Sequence, residues 1–443
     1  MHYFNKIASF LLLGIVTSSI FLIPKQEEFF GNPVVSALNR VEEQFNSLKE
    51  QTPNALQSWR MLQALLMEEF ACVQQEGISQ EDMKILEKRV RKLATPLLKS
   101  VFTQGAKNTA SFTDYEKHLL YLITLSSMKM VKEGSIAYRF MEGFSQKLGK
   151  MSKINFEQVL GQKAAIKPSG AIKVFNWNTC MLPGELAKYF GGIEPWKNRF
   201  SAIVKKIKET NADIVCLQEV HSEFAALKLV ESLKSDFAYF YINMGPKMMS
   251  ADIEDVGLNS GLFVASNFEL ENPSFYKFKS EHGDKFVNKG FFSAEIKQAD
   301  MLVTAAHLEP SDFPSSELAR FEQLNEVITH LKSSQKKGRL LCGDLNIPWG
   351  SREAAFKLIN AYFSDPYNDK RVDVNAYSRT FTDYFIEKKG YGSSDILDYF
   401  LIFNDSKLEN FSFVSERIEG FDEALYKHNA SDHHGLLTEI NQH

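Results

Sequence analysis

The chain has 443 residues, 51 basic and 55 acidic, for a net charge of −4, with 24% of residues charged and 44% hydrophobic. That composition excludes a disordered or low-complexity chain, and the length leaves room for two or three folded units. Four cysteines, Cys72, Cys180, Cys216 and Cys342, are too few and too scattered for a disulfide framework or a CxxC zinc site, so they are expected to be reduced and buried.

The first predicted element is the uncharged run 7–23, IASFLLLGIVTSSIFLI, between Lys6 and Pro24-Lys25. It sits at the short edge of the ~17–25 residues of a bilayer span and exceeds the ~7–15 of a signal-peptide core. Residues 1–37 are therefore read as an N-terminal hydrophobic anchor, with Lys6 weakly biasing the N-terminus inward. Secretion after cleavage near Val35-Ser36-Ala37 is the alternative. From 38 to 150 the pattern is that of a small helical domain. Leu62, Leu65, Leu66, Phe70 and Val73 recur at the spacing of one buried helix face, and Thr113 with Glu116 forms a capping box ahead of LLYLITL. Nothing in this stretch has the residue types of a catalytic site.

Residues 151–170 lose apolar periodicity and end at Pro168-Ser169-Gly170, the texture of a linker. Beyond it, over 171–443, short apolar runs alternate with helical segments such as 316–331. The runs are 172–175, 214–217, 261–265, 291–296, 301–306, 340–342 and 396–403. The expected fold is a layered α/β domain with a sheet core. This region carries 30 basic and 39 acidic residues, a net of −9, leaving +5 for residues 1–170. A nucleic-acid grip by the C-terminal region would favour the opposite sign.

Polar and acidic residues recur where the predicted strands stop: Asn176 and Asn178, Gln218-Glu219, Asn259-Ser260-Gly261, His307, Gly343-Asp344-Leu345-Asn346, Asp398, and Ser431-Asp432-His433. Each has an ordinary explanation as a cap, a turn or a strand-end residue. Together they place carboxylates, amides and histidines at the ends of several strands, where a layered fold gathers a site from distant parts of the chain.

The ordered set resembles the motifs of the endonuclease/exonuclease/phosphatase superfamily of metal-dependent phosphodiesterases and phosphatases. Within it, Asn178-Thr-Cys-Met-Leu-Pro183, Cys216-Leu-Gln-Glu-Val220, Leu258-Asn-Ser-Gly-Leu-Phe-Val-Ala-Ser266, Asn288-Lys-Gly290 and Ala306-His307-Leu-Glu-Pro310 are similar to neutral sphingomyelinases. The resemblance implies a two-layered β-sandwich flanked by helices (DNase I-like), preceded here by the helical domain and the hydrophobic segment. It further implies a sphingomyelinase C-type phosphodiesterase that releases phosphocholine and ceramide at a membrane surface.

The chemistry agrees with that assignment. Splitting a phosphodiester needs an activated water, charge stabilisation on phosphoryl oxygens and help for the leaving alkoxide. A hard cation, Mg²⁺ with Mn²⁺ as substitute, supplies the charge and takes few protein oxygens; Glu219 and Asn178 fit that demand. His433, with an ordinary pKa of ~6.5, is the candidate general base and Asp398 its orienting carboxylate. Asp432 is assigned to assist the metal site, Asp344 and Asn346 to hold the attacking water and a phosphoryl oxygen, and His307 to stabilise developing charge or protonate the leaving oxygen. By resemblance Asn259 and Lys289 lie on the substrate side, although an exposed turn lysine explains Lys289 equally well. His221 is read as part of a surface helix start. The expected partners are a membrane sphingolipid or phospholipid and, through 7–23, the bilayer itself, with no nucleic acid. A nuclease or phosphoinositide phosphatase on the same fold, or an inactive membrane scaffold, are the alternatives.

Overall fold

The computed structural model describes residues 33–49, 54–70, 79–128, 133–151, 154–166, 170–190, 193–246, 258–280, 287–310, 314–367, 396–405, 411–419 and 430–442. The hydrophobic run at 7–23 lies outside them, as do Cys72 and Val73; among the described residues no helix is long and apolar enough to cross a membrane. The chain divides into two compact units, one of residues 1–155, 183–189 and 246–258, the other of 156–182, 190–245 and 259–443.

The first unit holds helices α1 (Pro33–Lys49), α2 (Ala55–Phe70), α3 (Gln80–Lys107), α4 (Asp114–Met128) and α5 (Ile136–Met151). The expected stripe Leu62, Leu65, Leu66 and Phe70 is buried on α2, because apolar side chains three and four residues apart share a helix face. The capping box forms: Glu116 N donates to Thr113 Oγ1 at 3.1 Å, and Thr113 N donates to the Glu116 carboxylate at 2.9 Å.

The second unit is an α/β sandwich of two mixed sheets. The seven-stranded sheet contains β1 (Glu157–Leu160), β2 (Ile172–Asn178), β3 (Ile214–Gln218), β4 (Tyr239–Ile242), β5 (Phe263–Ser266), β12 (Phe411–Ile418) and β13 (Gly435–Gln442), in the order β1-β4-β5-β3-β2-β13-β12. The six-stranded sheet contains β6 (Glu271–Lys277), β7 (Gly290–Ile296), β8 (Met301–His307), β9 (Gly338–Asp344), β10 (Phe363–Ser364) and β11 (Asp398–Phe403), in the order β10-β11-β9-β8-β7-β6. Strand β1 falls inside the stretch that composition reads as linker; it is an edge strand whose side chains alternate between half-buried and exposed.

Helices cover the outer face of each sheet. On the first, α7 (Trp196–Glu209) and α8 (Glu223–Leu233) press Trp196, Ile203, Ile207 and Leu229 onto Phe175, Trp177 and Val215. On the second, α9 (Pro314–Ser333) and α10 (Ala354–Tyr362) press Leu324, Val327, Leu331 and Ile359 onto Phe291, Leu341 and Leu401. A short helix, α6 (Leu186–Phe190), follows β2.

Each sheet has one parallel pair, β2 with β3 and β8 with β9, and each pair is joined by a crossover helix, α7 and α9 respectively. Parallel neighbours end at the same rim, so Asn178 lies opposite Gln218 and His307 opposite Asp344. Antiparallel partners begin where these strands end: Asp398, the first residue of β11, is in register with Asp344, and β13 starts beside the end of β2 just after Ser431-Asp432-His433.

One glycine is required for this convergence. Gly343 has φ +156°, and a Cβ there would lie 1.9 Å from the Ala306 carbonyl oxygen on the paired strand. Gly343→Ala must therefore force β8 and β9 apart beside His307 and Asp344. We expect a loss of at least ~2 kcal/mol in urea unfolding, accompanied by loss of activity. A variant as stable as wild type would show that the strands can separate there without cost.

Candidate functional site

Asn178, at the end of β2, is buried and directs its amide nitrogen at two carboxylates, donating to Glu219 Oε1 at 3.0 Å and Asp344 Oδ2 at 2.9 Å. Its oxygen accepts from Cys180 N at 3.0 Å. That bond fixes which way the amide faces, since reversing it would set two donors against each other. In this arrangement the nitrogen, not the oxygen, of the expected ligand Asn178 meets the cluster. Glu219 follows β3 with φ +61°, a left-handed turn that brings its side chain back over the strand end.

From the other sheet, His307 Nε2 lies 3.9 Å from Glu219 Oε1 and 3.8 Å from Asp344 Oδ2. His307 is buried, and neither ring nitrogen has a hydrogen-bond partner among the described residues. Asp344 accepts from Asn346 N at 3.0 Å through its second oxygen, and Asn346 Nδ2 donates to Leu308 O at 3.2 Å, tying the turn after β9 to the one after β8. His433 closes the group. Its Nδ1 is 2.9 Å from Asp398 Oδ2 and its Nε2 3.8 Å from Asp344 Oδ2. Glu219, His307 and Asp344 offer ligand atoms within 4.8 Å of one another, as do Asp344, Asp398 and His433.

Ser431 sets the approach of the last loop: its hydroxyl donates to Asn178 O at 2.6 Å and accepts from His433 N at 3.1 Å. Trp177 Nε1 donates to His433 O at 2.9 Å. Two strands far apart in sequence are thereby stitched together at the rim where these side chains meet.

Concentrated charge in a buried place shifts four of the titrating groups here. Burial, reinforced by Asp432, pushes the Glu219 carboxyl up. Asp344 is raised to about 7, by burial first and then by Asp398 and Glu219, against the pull of His433 and Asn178. Burial works to lower His433, but Asp398 and Asp344 outweigh it and hold the imidazole well above its ordinary value. His307 moves the other way, well below 6.5, through burial with Lys289, His221 and His433 adding to it. The site thus contains a neutral histidine, a positively biased histidine and carboxylates that resist ionisation, an arrangement suited to receiving a cation and an anionic ester.

The remaining expected residues fall around this group. Lys289 is 2% exposed, not a solvent-facing turn residue, and its charge acts on Glu219, His221 and His307. Asp432 is buried beside the same loop and acts on Glu219. Asn259 holds a local turn, its Oδ1 accepting from Gly261 N at 2.8 Å.

His221 is a correction: it is buried, not at the surface, with Nδ1 3.1 Å from Asn259 O. Ser222, one residue later, is the cap of α8. The signal lay in Gly261, whose φ of +73° and lack of a Cβ let the His221 ring pack on it; a Cβ would meet the ring at 2.5 Å. Burial, then Lys289, lowers His221 to about 3, so it is neutral at ordinary pH.

Comparison with known proteins places residues 175–433 under the model of the Endonuclease/Exonuclease/phosphatase family. A sphingomyelinase C from Leptospira interrogans is 26% identical over 207 residues, covering 43% of this chain and 36% of that protein. Sphingomyelin phosphodiesterase 5 from Danio rerio is 27% identical over 182 residues, covering 36% of this chain and 32% of that one. The chain thus spans about a third of the length of these relatives. Among solved structures, a beta toxin mutant from Staphylococcus aureus with bound magnesium ions is 20% identical with a TM-score of 0.48, covering 62% of this chain and all of that one.

Proposed function

The chain belongs to the endonuclease/exonuclease/phosphatase family, and from that premise we propose that it is a Mg²⁺-dependent phosphodiesterase of sphingomyelinase C type. The observation that carries this reading is His307: a buried imidazole whose two nitrogens have no partner among the described residues, within 4 Å of two carboxylates from different sheets. A buried polar ring without partners costs stability unless a ligand supplies them, and a phosphoryl oxygen is such a partner. The choice of sphingomyelin is supported by the motifs around Asn178, Glu219, Asn259, Lys289 and His307 and by the two relatives named above.

In this proposal Glu219 would hold the cation, with Asn178 fixing its carboxylate through the 3.0 Å hydrogen bond. When bound, Mg²⁺, or Mn²⁺ in its place, would supply positive charge to the phosphoryl oxygens. Asp344 and His433 Nε2, 3.8 Å apart, are spaced so that one water hydrogen-bonds to both, and the unprotonated form of His433 takes its proton while Asp398 steadies the imidazolium. Asn346 keeps Asp344 turned toward that water. Lys289 and His307 face the anionic ester, the first by charge and the second by hydrogen bond. Asp432 balances charge beside Glu219, and Asn259 shapes the substrate-side turn. The run at 7–23 would hold this chemistry against the bilayer, where the substrate is concentrated.

Incubation with sphingomyelin vesicles tests the reading. We expect phosphocholine release that requires Mg²⁺ and stops with chelator. Absence of release refutes the lipid assignment; plasmid nicking or inositide phosphate release under the same conditions would put a nuclease or a phosphatase in its place.

A further inference from the structure

We infer that Arg199 is a positioning residue for this site, a buried guanidinium that sets the loops carrying Asn178 and His433 at fixed spacing. The inference rests on the phosphodiesterase reading and extends it to a residue on the crossover helix α7.

Arg199 is 1% exposed. Its Nη1 donates to Thr179 O at 3.1 Å and also to Ala430 O, its Nη2 to Cys180 O at 2.6 Å, and its Nε to Glu194 O at 2.6 Å. Thr179 and Cys180 directly follow Asn178, and Ala430 directly precedes Ser431-Asp432-His433. One rigid fork thus grips the backbone on both sides of the stitch made by Ser431, and only a planar guanidinium offers donors in these directions at once. Burial pulls the guanidinium down from its ordinary value, and the nearby Asp432 and Glu219 work against that pull. A buried arginine that served the fold alone would have no reason to choose the two loops that meet at the reacting centre.

The second half of the sandwich repeats the device. Arg320 on crossover helix α9, also buried, donates through Nη1 to Glu309 O at 3.1 Å, in the loop that leaves β8 just after His307, and is braced by Glu353 at 2.8 Å. Each parallel pair therefore has an arginine on its crossover helix holding the loop that leaves its first strand.

The test compares the full-length wild type with Arg199→Lys, which keeps the charge and loses the fork. Hydrogen exchange read by mass spectrometry without added metal should accelerate at least ~10-fold in segments 176–182 and 430–434 and stay unchanged in 301–307. With saturating Mg²⁺ and sphingomyelin vesicles, at a temperature where both proteins are folded, kcat should fall at least ~30-fold with KM within about threefold, since misplacement by about 1 Å costs rate more than binding. Unchanged exchange in the two segments, or kcat within threefold of wild type, overturns the inference, as does a loss confined to KM. If Arg199→Lys does not fold, Arg199→Gln, which keeps a single amide donor in place of the fork, is read instead, and unchanged exchange in the two segments is equally fatal. A wild type inactive on sphingomyelin refutes the lipid reading, while the exchange experiment still decides whether Arg199 clamps the loops.

Discussion

His433→Ala is expected to lower kcat on sphingomyelin by ~10³–10⁴-fold while leaving the fold intact, because the imidazole paired with Asp398 is the base assigned to the water placed beside Asp344. The side chain makes its hydrogen bond to Asp398 at 2.9 Å, and the loop is held independently through His433 N and O by Ser431 and Trp177. Removal of the ring therefore leaves the loop's backbone bonds in place. Asp398→Asn should cost nearly as much, since it removes the charge that stabilises the imidazolium and presents an amide in its place. Steady-state rates at saturating Mg²⁺, with circular dichroism as the check on folding, decide the matter. A rate within tenfold of wild type for His433→Ala would move the base elsewhere in the cluster.

Glu219→Gln is expected to weaken apparent Mg²⁺ affinity on the order of 100-fold and to abolish activity at millimolar metal, because the neutral amide removes the charge assigned to the ion. The pH dependence gives this prediction a second edge. With Asp344 titrating at about 7, protons compete with the cation below that pH and not above it. Apparent affinity in the wild type should thus rise by up to ~10-fold per unit as pH climbs toward 7 and then level off. Since Glu219 is one of the groups that raise Asp344, the substitution should move this break to lower pH. Calorimetric titration between pH 5.5 and 8 reads both effects. Unchanged affinity would assign the cation to other residues.

The parts of the sandwich that the sequence foretold are those buried on both faces. In each sheet the expected strands are central or nearly so: β2, β3 and β5 in one, β7, β8, β9 and β11 in the other. These read as largely apolar runs because helices cover one side and the facing sheet the other. The strands that went unmarked, β1, β4, β12 and β13 in the first sheet and β6 and β10 in the second, lie toward the edges. Polar residues alternate with apolar ones in β12 and β10 is only two residues long, whereas β4, a four-residue apolar strand, went unmarked for its shortness alone.

The strand-end residues were legible as a set for a related reason. A carboxylate or histidine directly after a buried strand stands out against its apolar neighbours, whereas Arg199 on α7 looks like any basic residue of an amphipathic helix. Its neighbours Lys197, Lys205, Lys206 and Lys208 camouflage it. Only the path of the loops after β2 and before β13 shows that this one cation turns inward.

The left-handed backbone at Glu219 sets evolutionary pressures against each other. Side chains other than glycine pay about 1 kcal/mol for φ near +61°, so a glycine there would relax the turn while deleting the carboxylate. A library sorted for thermal resilience alone would drift toward inactive clones at this codon, and any campaign to harden the protein has to hold it fixed.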